Sequence, residues 1–207
     1  MIDIDTITGQ ILLAQKWAYR WHKETGLQDW TQAEKRDFHR RSDLAVWAVW
    51  SNRAKFSVAG PSPFARKFGR RLLPINLDIE WVLTGQHWTV NVTKVAPNKF
   101  YPSQVFWAQR AIQLGSRDYA TVQRSMNGGK RRQRTVAHEF GHAAGNTGML
   151  QRGDEYPKKT GQASPHVQDD QSIMHVGEQL RRRHFLTITE ELNQMIPGTI
   201  FRLAGVS

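Results

Sequence analysis

Between Ile11 and Trp21 apolar and aromatic side chains recur at short intervals. Leu13, Trp17, Tyr19 and Trp21 mark one face of a strand, although Leu13, Trp17 and Trp21 also fit helical spacing. The density of aromatic residues and the interruption at Gly26 favour the strand. Thr31-x-x-Glu34 has the form of a capping box. After it, Phe38, Leu44, Ala45, Ala48 and Val49 carry an apolar stripe to about Asn52, broadened by Trp47 and Trp50. That pattern predicts a long amphipathic helix over 31–52.

Gly60-Pro61-Ser62-Pro63 reads as a loop. Beyond it the period becomes two: Ile75, Leu77, Ile79, Trp81 and Leu83 predict a half-buried strand, and Trp88, Val90 and Val92 a second. The turn at Gly85-Gln86 predicts that these two pair as a hairpin. One or two more strands are expected between Gln104 and Tyr119, a break at Asn127-Gly128-Gly129, and a helix from about Arg131 to Ala144. Roughly forty residues after Gly145 lack periodicity and read as a long irregular segment. A last helix is expected from Thr187, where Thr187-x-x-Glu190 repeats the capping-box pattern, to the residue before Pro197-Gly198. The layout predicts one α+β domain over 1–207. Sheet and helices run to 145; the irregular region and C-terminal helix fill 146–207.

Composition narrows the chemistry. The 207 residues, 39% hydrophobic and 23% charged, can bury one real core. No apolar run approaches the roughly 20 residues that span a bilayer. The chain has no cysteine, which excludes disulfides, thiolate metal sites and a cysteine nucleophile, so any metal must be held by His, Asp or Glu. Lys and Arg outnumber Asp and Glu by 29 to 18, a net charge of +11. Such a surface attracts polyanions, whether nucleic acid, anionic membrane or acidic wall polymer. No nucleic-acid motif accompanies the charge. The N-terminus is acidic where a secretory leader is basic, so the expectation is a protein made in the cytoplasm without a Sec signal.

The strongest chemical signal is His138-Glu139-Phe140-Gly141-His142. On a helix, residues four apart project from one face a single turn apart, which lets two imidazoles reach one metal ion. Glu139 would lie beside that ion, placed to take a proton from water. Gly145 follows where the helix must end in a left-handed turn. Gly153-Asp154-Glu155-Tyr156 supplies carboxylates, and Ser172-Ile173-Met174 follows a polar stretch.

His138-Glu139-x-x-His142-x-x-Gly145 followed by Ser-Ile-Met resembles the metzincin clan of zinc metallopeptidases. The longer H-E-F-G-H, D-E-Y, S-I-M series is similar to bacterial zincin-type peptidases, including domains of secreted effectors and toxins. These motifs cover residues 138–176, about one-fifth of the chain. The resemblance implies a metzincin-like fold: a twisted mixed sheet, a long helix before it, and an active-site helix behind it. It implies Zn²⁺ held by His138 and His142, Glu139 as general base, and Met174 in a methionine turn beneath the metal. The usual third-ligand position falls here on Gly148, which cannot bind metal. The D-E-Y form then implies Asp154 as third ligand after a short insertion over 146–153, with Glu155 and His166 as competitors. Val176 stands where the clan often has a tyrosine, leaving Tyr156, His175 and His184 as alternative stabilisers of an oxyanion.

Further expectations complete the reading. Trp17, Trp21, Trp47, Trp50 and Trp81 are placed in the core rather than in a binding groove. The stretch from Ser116 to Tyr119 is expected to form the sheet edge that pairs with an extended peptide. Arg181-Arg182-Arg183 is expected to hold the methionine turn through carboxylates. The functional expectation is a zinc metalloendopeptidase acting on a protein or peptide substrate. It would be bacterial or phage-encoded and delivered into another cell by a dedicated secretion apparatus, with a cognate immunity protein. The alternatives are a peptidoglycan-acting metallohydrolase and a non-catalytic basic zincin scaffold that binds a partner or nucleic acid.

Overall fold

The computed structural model describes residues 1–97, 99–126, 129–156 and 164–207. A short strand β1 (Ile2–Ile4) leads into β2 (Ile11–Lys23), so the strand reading of the first apolar segment holds. Helix α1 (Gln32–Trp50) starts at the expected cap: Thr31 accepts from Glu34 N, and the Glu34 carboxylate accepts in turn from Thr31 N. Its buried face runs through Phe38, Ser42, Ala45, Val46, Val49 and Trp50. Leu44 and Trp47 fall off that face at 100° per residue and stand 54% and 45% exposed, which corrects their placement in the core.

Next come β3 (Ala54–Ala59) and a single-turn helix α2 (Pro63–Phe68), where only a loop was expected. Ser62 caps α2 and Pro63 fits its first position, where a missing N–H costs nothing. Strands β4 (Leu73–Trp81), β5 (Trp88–Lys94), β6 (Gln104–Phe106) and β7 (Ala111–Gly115) follow. Leu83 lies past the end of β4 and is exposed.

The expected hairpin of β4 and β5 does not form. Both strands pair in parallel with β2, β4 along Ile11–Trp17 and β5 along Trp17–Lys23. Residues 82–87 therefore carry the chain from one edge of β2 to the other. Their anchors are Val82 N donating to Trp17 O and His87 N donating to Lys16 O. Proximity in sequence suggested pairing, but the long central strand offers partners along both edges.

Beyond β7 an antiparallel pair, β8 (Thr121–Met126) and β9 (Gly129–Arg134), stands apart from the main sheet. Residues 131–134 are thus strand rather than the expected first turn of a helix. Of the break foreseen at 127–129, Asn127 and Gly128 lie outside the described residues. Helix α3 (Thr135–Ala143) carries the His-Glu-x-x-His segment. The region after it is irregular as expected, with one-turn 3-10 segments at Gly148–Leu150 and Arg182–Phe185. Helix α4 (Leu186–Met195) and a final strand β10 (Ile200–Val206), which was not expected, end the fold. Thr187 and Glu190 form no capping box: α4 begins one residue earlier without a side-chain cap. Both side chains instead bind Arg152.

Among the described residues the main sheet has eight strands, ordered β10-β3-β4-β2-β5-β7-β6 with β1 alongside β2. Strands β4, β2, β5 and β7 run parallel, while β6, β3 and β10 are antiparallel to their neighbours. The fold is α+β with a mixed sheet. Helix α1 packs on β4 and against α3. Trp17, Trp50 and Trp88 are fully enclosed in the core, while Trp21 and Trp81 pack on it with Tyr19 and Phe38. No helix of the described residues is long and apolar enough to cross a membrane.

Candidate metal centre

Helix α3 is held from several sides. Trp50, the last residue of α1, donates from Nε1 to Ala137 O at 2.9 Å, and Asp118 O accepts from Val136 N. The helix ends as its sequence demands. Gly145 takes φ +109°, Gly145 N donates to His142 O, and Asn146 N donates to Gly141 O. That paired closure satisfies the last carbonyls. Trp107 Nε1 also donates to His142 O, at 2.7 Å.

The next turn brings the third group back. Residues 147–153 close on themselves through Arg152 N to Thr147 O, with Gln151 at φ +57° and Gly153 packed on the backbone of Gly148. The residues expected to hold a short insertion, 146–153, form this compact loop. It delivers Asp154 Oδ1 to 3.0 Å from His142 Nε2 and 3.3 Å from His138 Nε2, and the two Nε2 atoms are 3.1 Å apart. Among the described residues these three form the one group of metal-binding side chains that converges in this way.

The triangle fits a cation. His138 Nδ1 donates to Ile173 O and His142 Nδ1 to Asn146 O, each at 2.6 Å, so both Nε2 atoms turn lone pairs towards the centre. Two ring lone pairs and a carboxylate oxygen then face one another, all of them acceptors. Ligands at 2.0–2.1 Å on a tetrahedral ion would be about 3.3 Å apart, close to the observed edges. The field of the site favours positive charge. Burial disfavours charge on Asp154, yet hydrogen bonds that protonated His138 and His142 would donate hold its carboxyl well below the usual range, a place that a cation can take from those protons. Burial likewise disfavours a charged His142, yet Asp154 and Glu139 raise its pKa.

Glu139 lies one residue from His138 and is 4% exposed. Its Oε2 has no hydrogen-bond partner among the described residues, and burial raises its pKa. It lines two hollows that flank the triangle. One lies towards Thr147, Gly148 and β6, the other towards Arg124, His175 and Val176. Tyr156 lines both, its ring stacked on His138 at 6.3 Å between centroids. Burial and the neighbouring Asp154 carboxylate push its pKa up. Met174 is fully buried beneath α3 against Gly141.

Other expected site residues go elsewhere. Glu155 turns away from the triangle and is clasped by Arg183 at 2.5 and 2.8 Å, with His184 at 3.4 Å. His166 is exposed on a turn and outside the group. His184 is taken up by the scaffold: its Nδ1 accepts from Arg181 N, and its Nε2 lies 3.1 Å from Ser172 Oγ. His175 is buried, with Nε2 donating to Val167 O. Arg181 and Arg183 share Asp169 and so hold the loop through carboxylates, while Arg182 reaches the carbonyls of Leu203 and Ala204 in β10.

Residues 116–119 form a turn rather than an edge strand. The sheet ends instead at β6, whose Gln104 and Val105 line the hollow beside His142 and Asp154. Two contributors escaped the sequence reading. Gln133 is 3% exposed and donates from Nε2 to His175 O at 2.8 Å, tying β9 to the methionine turn. Asn146 orients His142 through its carbonyl and donates from Nδ2 to Gly141 O and His184 O. The one available signal was an Asn directly after the helix-ending glycine. Set against models of known families, curated proteins and solved structures, the chain matches none of them.

Proposed function

We propose that this protein is a zinc-dependent peptidase of metzincin-like fold, with His138, His142 and Asp154 as ligands and Glu139 as the general base. The observation that carries the reading is the acceptor-only triangle beside a buried carboxylate with a free oxygen. Three protein ligands leave a fourth position open, as a catalytic rather than structural zinc requires. When bound there, zinc supplies Lewis-acid polarisation of a carbonyl and activation of water near neutral pH.

The chain's own groups supply the rest. Glu139 Oε2 receives the proton of the attacking water and returns it to the leaving amine; its raised pKa brings it nearer the operating pH. Tyr156, on the rim of both hollows, offers a hydroxyl to the developing oxyanion. Among the described residues β6 ends the sheet, and its outer edge can hold an extended peptide by strand addition beside the triangle, which supports a polypeptide substrate. Delivery into another cell, with an immunity partner, stays a proposal carried by the motif resemblance alone.

The test is metal analysis combined with proteolysis. Purified protein should bind zinc at about one per chain and cleave an unfolded protein mixture. Glu139→Gln should keep the metal and lose roughly 10²–10⁴-fold in rate. Hydrolysis that survives in Glu139→Gln, or a folded protein that binds no divalent ion, would overturn the reading.

A further inference from the structure

We infer that the hollow on the His138 side takes an acidic side chain, a glutamate or aspartate flanking the cleaved bond, and that Arg124 selects it. The inference rests on the peptidase reading above. The hollow measures about 310 Å³, room for one side chain and a few waters. Tyr101, Pro102 and Val176 give it apolar walls, and His138, Glu139 and Tyr156 stand where it meets the candidate centre. Whatever enters it therefore lies next to the reacting bond.

Arg124 brings a guanidinium with no ion-pair partner among the described residues, although its field reaches the buried carboxyls of Asp118 and Glu139. Its Nη2 donates to Thr135 Oγ1 at 3.1 Å, while its buried Nε has no hydrogen-bond partner among the described residues. No carboxylate of the described residues pairs with it, and residues 98, 127–128 and 157–163 contain no Asp or Glu. Four other arginines around the centre are matched by carboxylates, Arg131 with Asp170, Arg134 with Glu178, Arg181 with Asp169 and Arg183 with Glu155, and Arg182 ends on carbonyls of β10. The nearby Asp118 is already engaged, its Oδ2 accepting from Ser103 Oγ and Gly115 N.

Strand register aims Arg124 inward. In the β8–β9 pair Arg124 stands opposite Arg131, and Val122 opposite Gln133. Side chains two apart share a face, so Arg124 lies on the side of Gln133, whose amide reaches His175 O at the methionine turn. A guanidinium on that face, whose one hydrogen bond among the described residues runs from Nη2 to Thr135, keeps further donors at its head for a carboxylate, while Nε stays enclosed. A lysine or arginine of the substrate would meet a like charge, and an aliphatic side chain would leave the guanidinium head without a partner.

The experiment digests a peptide library with the zinc-loaded enzyme and maps the cut sites by mass spectrometry. Peptides carrying Glu, Gln, Leu or Lys at the selected position are then compared. Asp and Glu should be enriched at one of the two positions flanking the cut, with kcat/KM for Glu above Gln by roughly 10–100-fold, the worth of a charged hydrogen bond. Arg124→Lys should keep the order, and Arg124→Glu should reverse it towards Lys. Each variant is judged by its own Glu-to-Lys ratio, so a general loss of rate does not obscure the result. Should Arg124→Glu fail to fold, Arg124→Gln should still erase the preference for Glu over Gln. Cleavage with no acidic preference, a preference for Gln over Glu, or a preference that persists in Arg124→Glu or Arg124→Gln overturns this inference and leaves the peptidase reading standing. Cleavage of no peptide by the zinc-loaded wild type overturns both.

Discussion

Met174 packs so closely on Gly141 that a methyl group built on the glycine would lie 2.7 Å from the methionine sulfur and 2.8 Å from the Trp50 ring. Trp50 and Met174 are both fully buried, so neither can retreat into solvent. The glycine inside His-Glu-Phe-Gly-His is therefore where helix, tryptophan and methionine turn meet. Gly141→Ala should destabilise the protein by about 1–3 kcal/mol from overpacking, despite alanine's roughly 1 kcal/mol advantage in a helix. A thermal melt checks the sign, and an unchanged or raised Tm would show that the contact yields.

Asp154 tests the ligand assignment. Asp154→Ala removes one corner of the triangle, while His166→Ala removes a side chain exposed on a turn. Losing a partner that merely orients a ligand typically costs 10–100-fold in metal affinity. Asp154→Ala should exceed that, falling by more than about 100-fold in a chelator competition, with His166→Ala unchanged. The reverse order would move the third ligand to His166.

Much of this arrangement was legible in the sequence because it is local. The Thr31–Glu34 cap, the His-Glu-x-x-His face and the glycine at 145 each follow from residues a few positions apart. Asp154 was legible only through a resemblance, since a compact loop displaces it from His142. The failures are those of long-range pairing. Nothing local says that β2 separates β4 from β5, and strand β9 is so rich in Lys and Arg that it lacks an apolar signature. Strand β3 did alternate through Ala54, Phe56 and Val58, a signal present but unread. The charge cluster at 181–183 was legible as a loop anchor; which arginine met which carboxylate was not, because Asp169 and Glu155 approach from separate turns.

Asp43 on α1 faces Asp78 on β4, and burial together with that second carboxyl raises its pKa to about 7. Its Oδ1 is buried without a partner among the described residues. A raised carboxyl pKa means that the folded state holds its proton more tightly than the unfolded state. Stability from this pair is therefore greatest below the unfolded value near 3.8 and declines as pH rises towards 7. Asp43→Asn should stabilise the protein at pH 8 by up to roughly 1 kcal/mol, the effect being limited by solvent screening of a partly exposed group. At pH 4 the gain should vanish. Melting curves at both pH values decide it, and an equal effect at both would exclude titration as the cause.

Glu155 offers the opposite sign of dependence. Its carboxylate is 4% exposed, and although burial disfavours its charge, Arg183 and His184 hold its pKa well below the usual range. A depressed carboxyl pKa contributes stability that is present above the unfolded value near 4.5 and is lost as pH falls below it. Arg183→Ala would leave that charge enclosed beside only His184 and the Ser172 hydroxyl and should cost about 2–4 kcal/mol at pH 7. The difference from wild type should shrink on acidification below about 4.5, as protonation removes the uncompensated charge. Adding Glu155→Gln to Arg183→Ala should recover part of the loss for the same reason. Urea unfolding at pH 7 and pH 4 measures all three quantities. Glu155 also follows Asp154 directly and anchors its backbone through Glu155 N to Met174 O. Arg183→Ala should therefore weaken binding at the proposed zinc site as well, by roughly 10–100-fold. A variant that unfolds more easily yet binds zinc as tightly as the wild type would show that Asp154 is placed by the 147–153 loop alone.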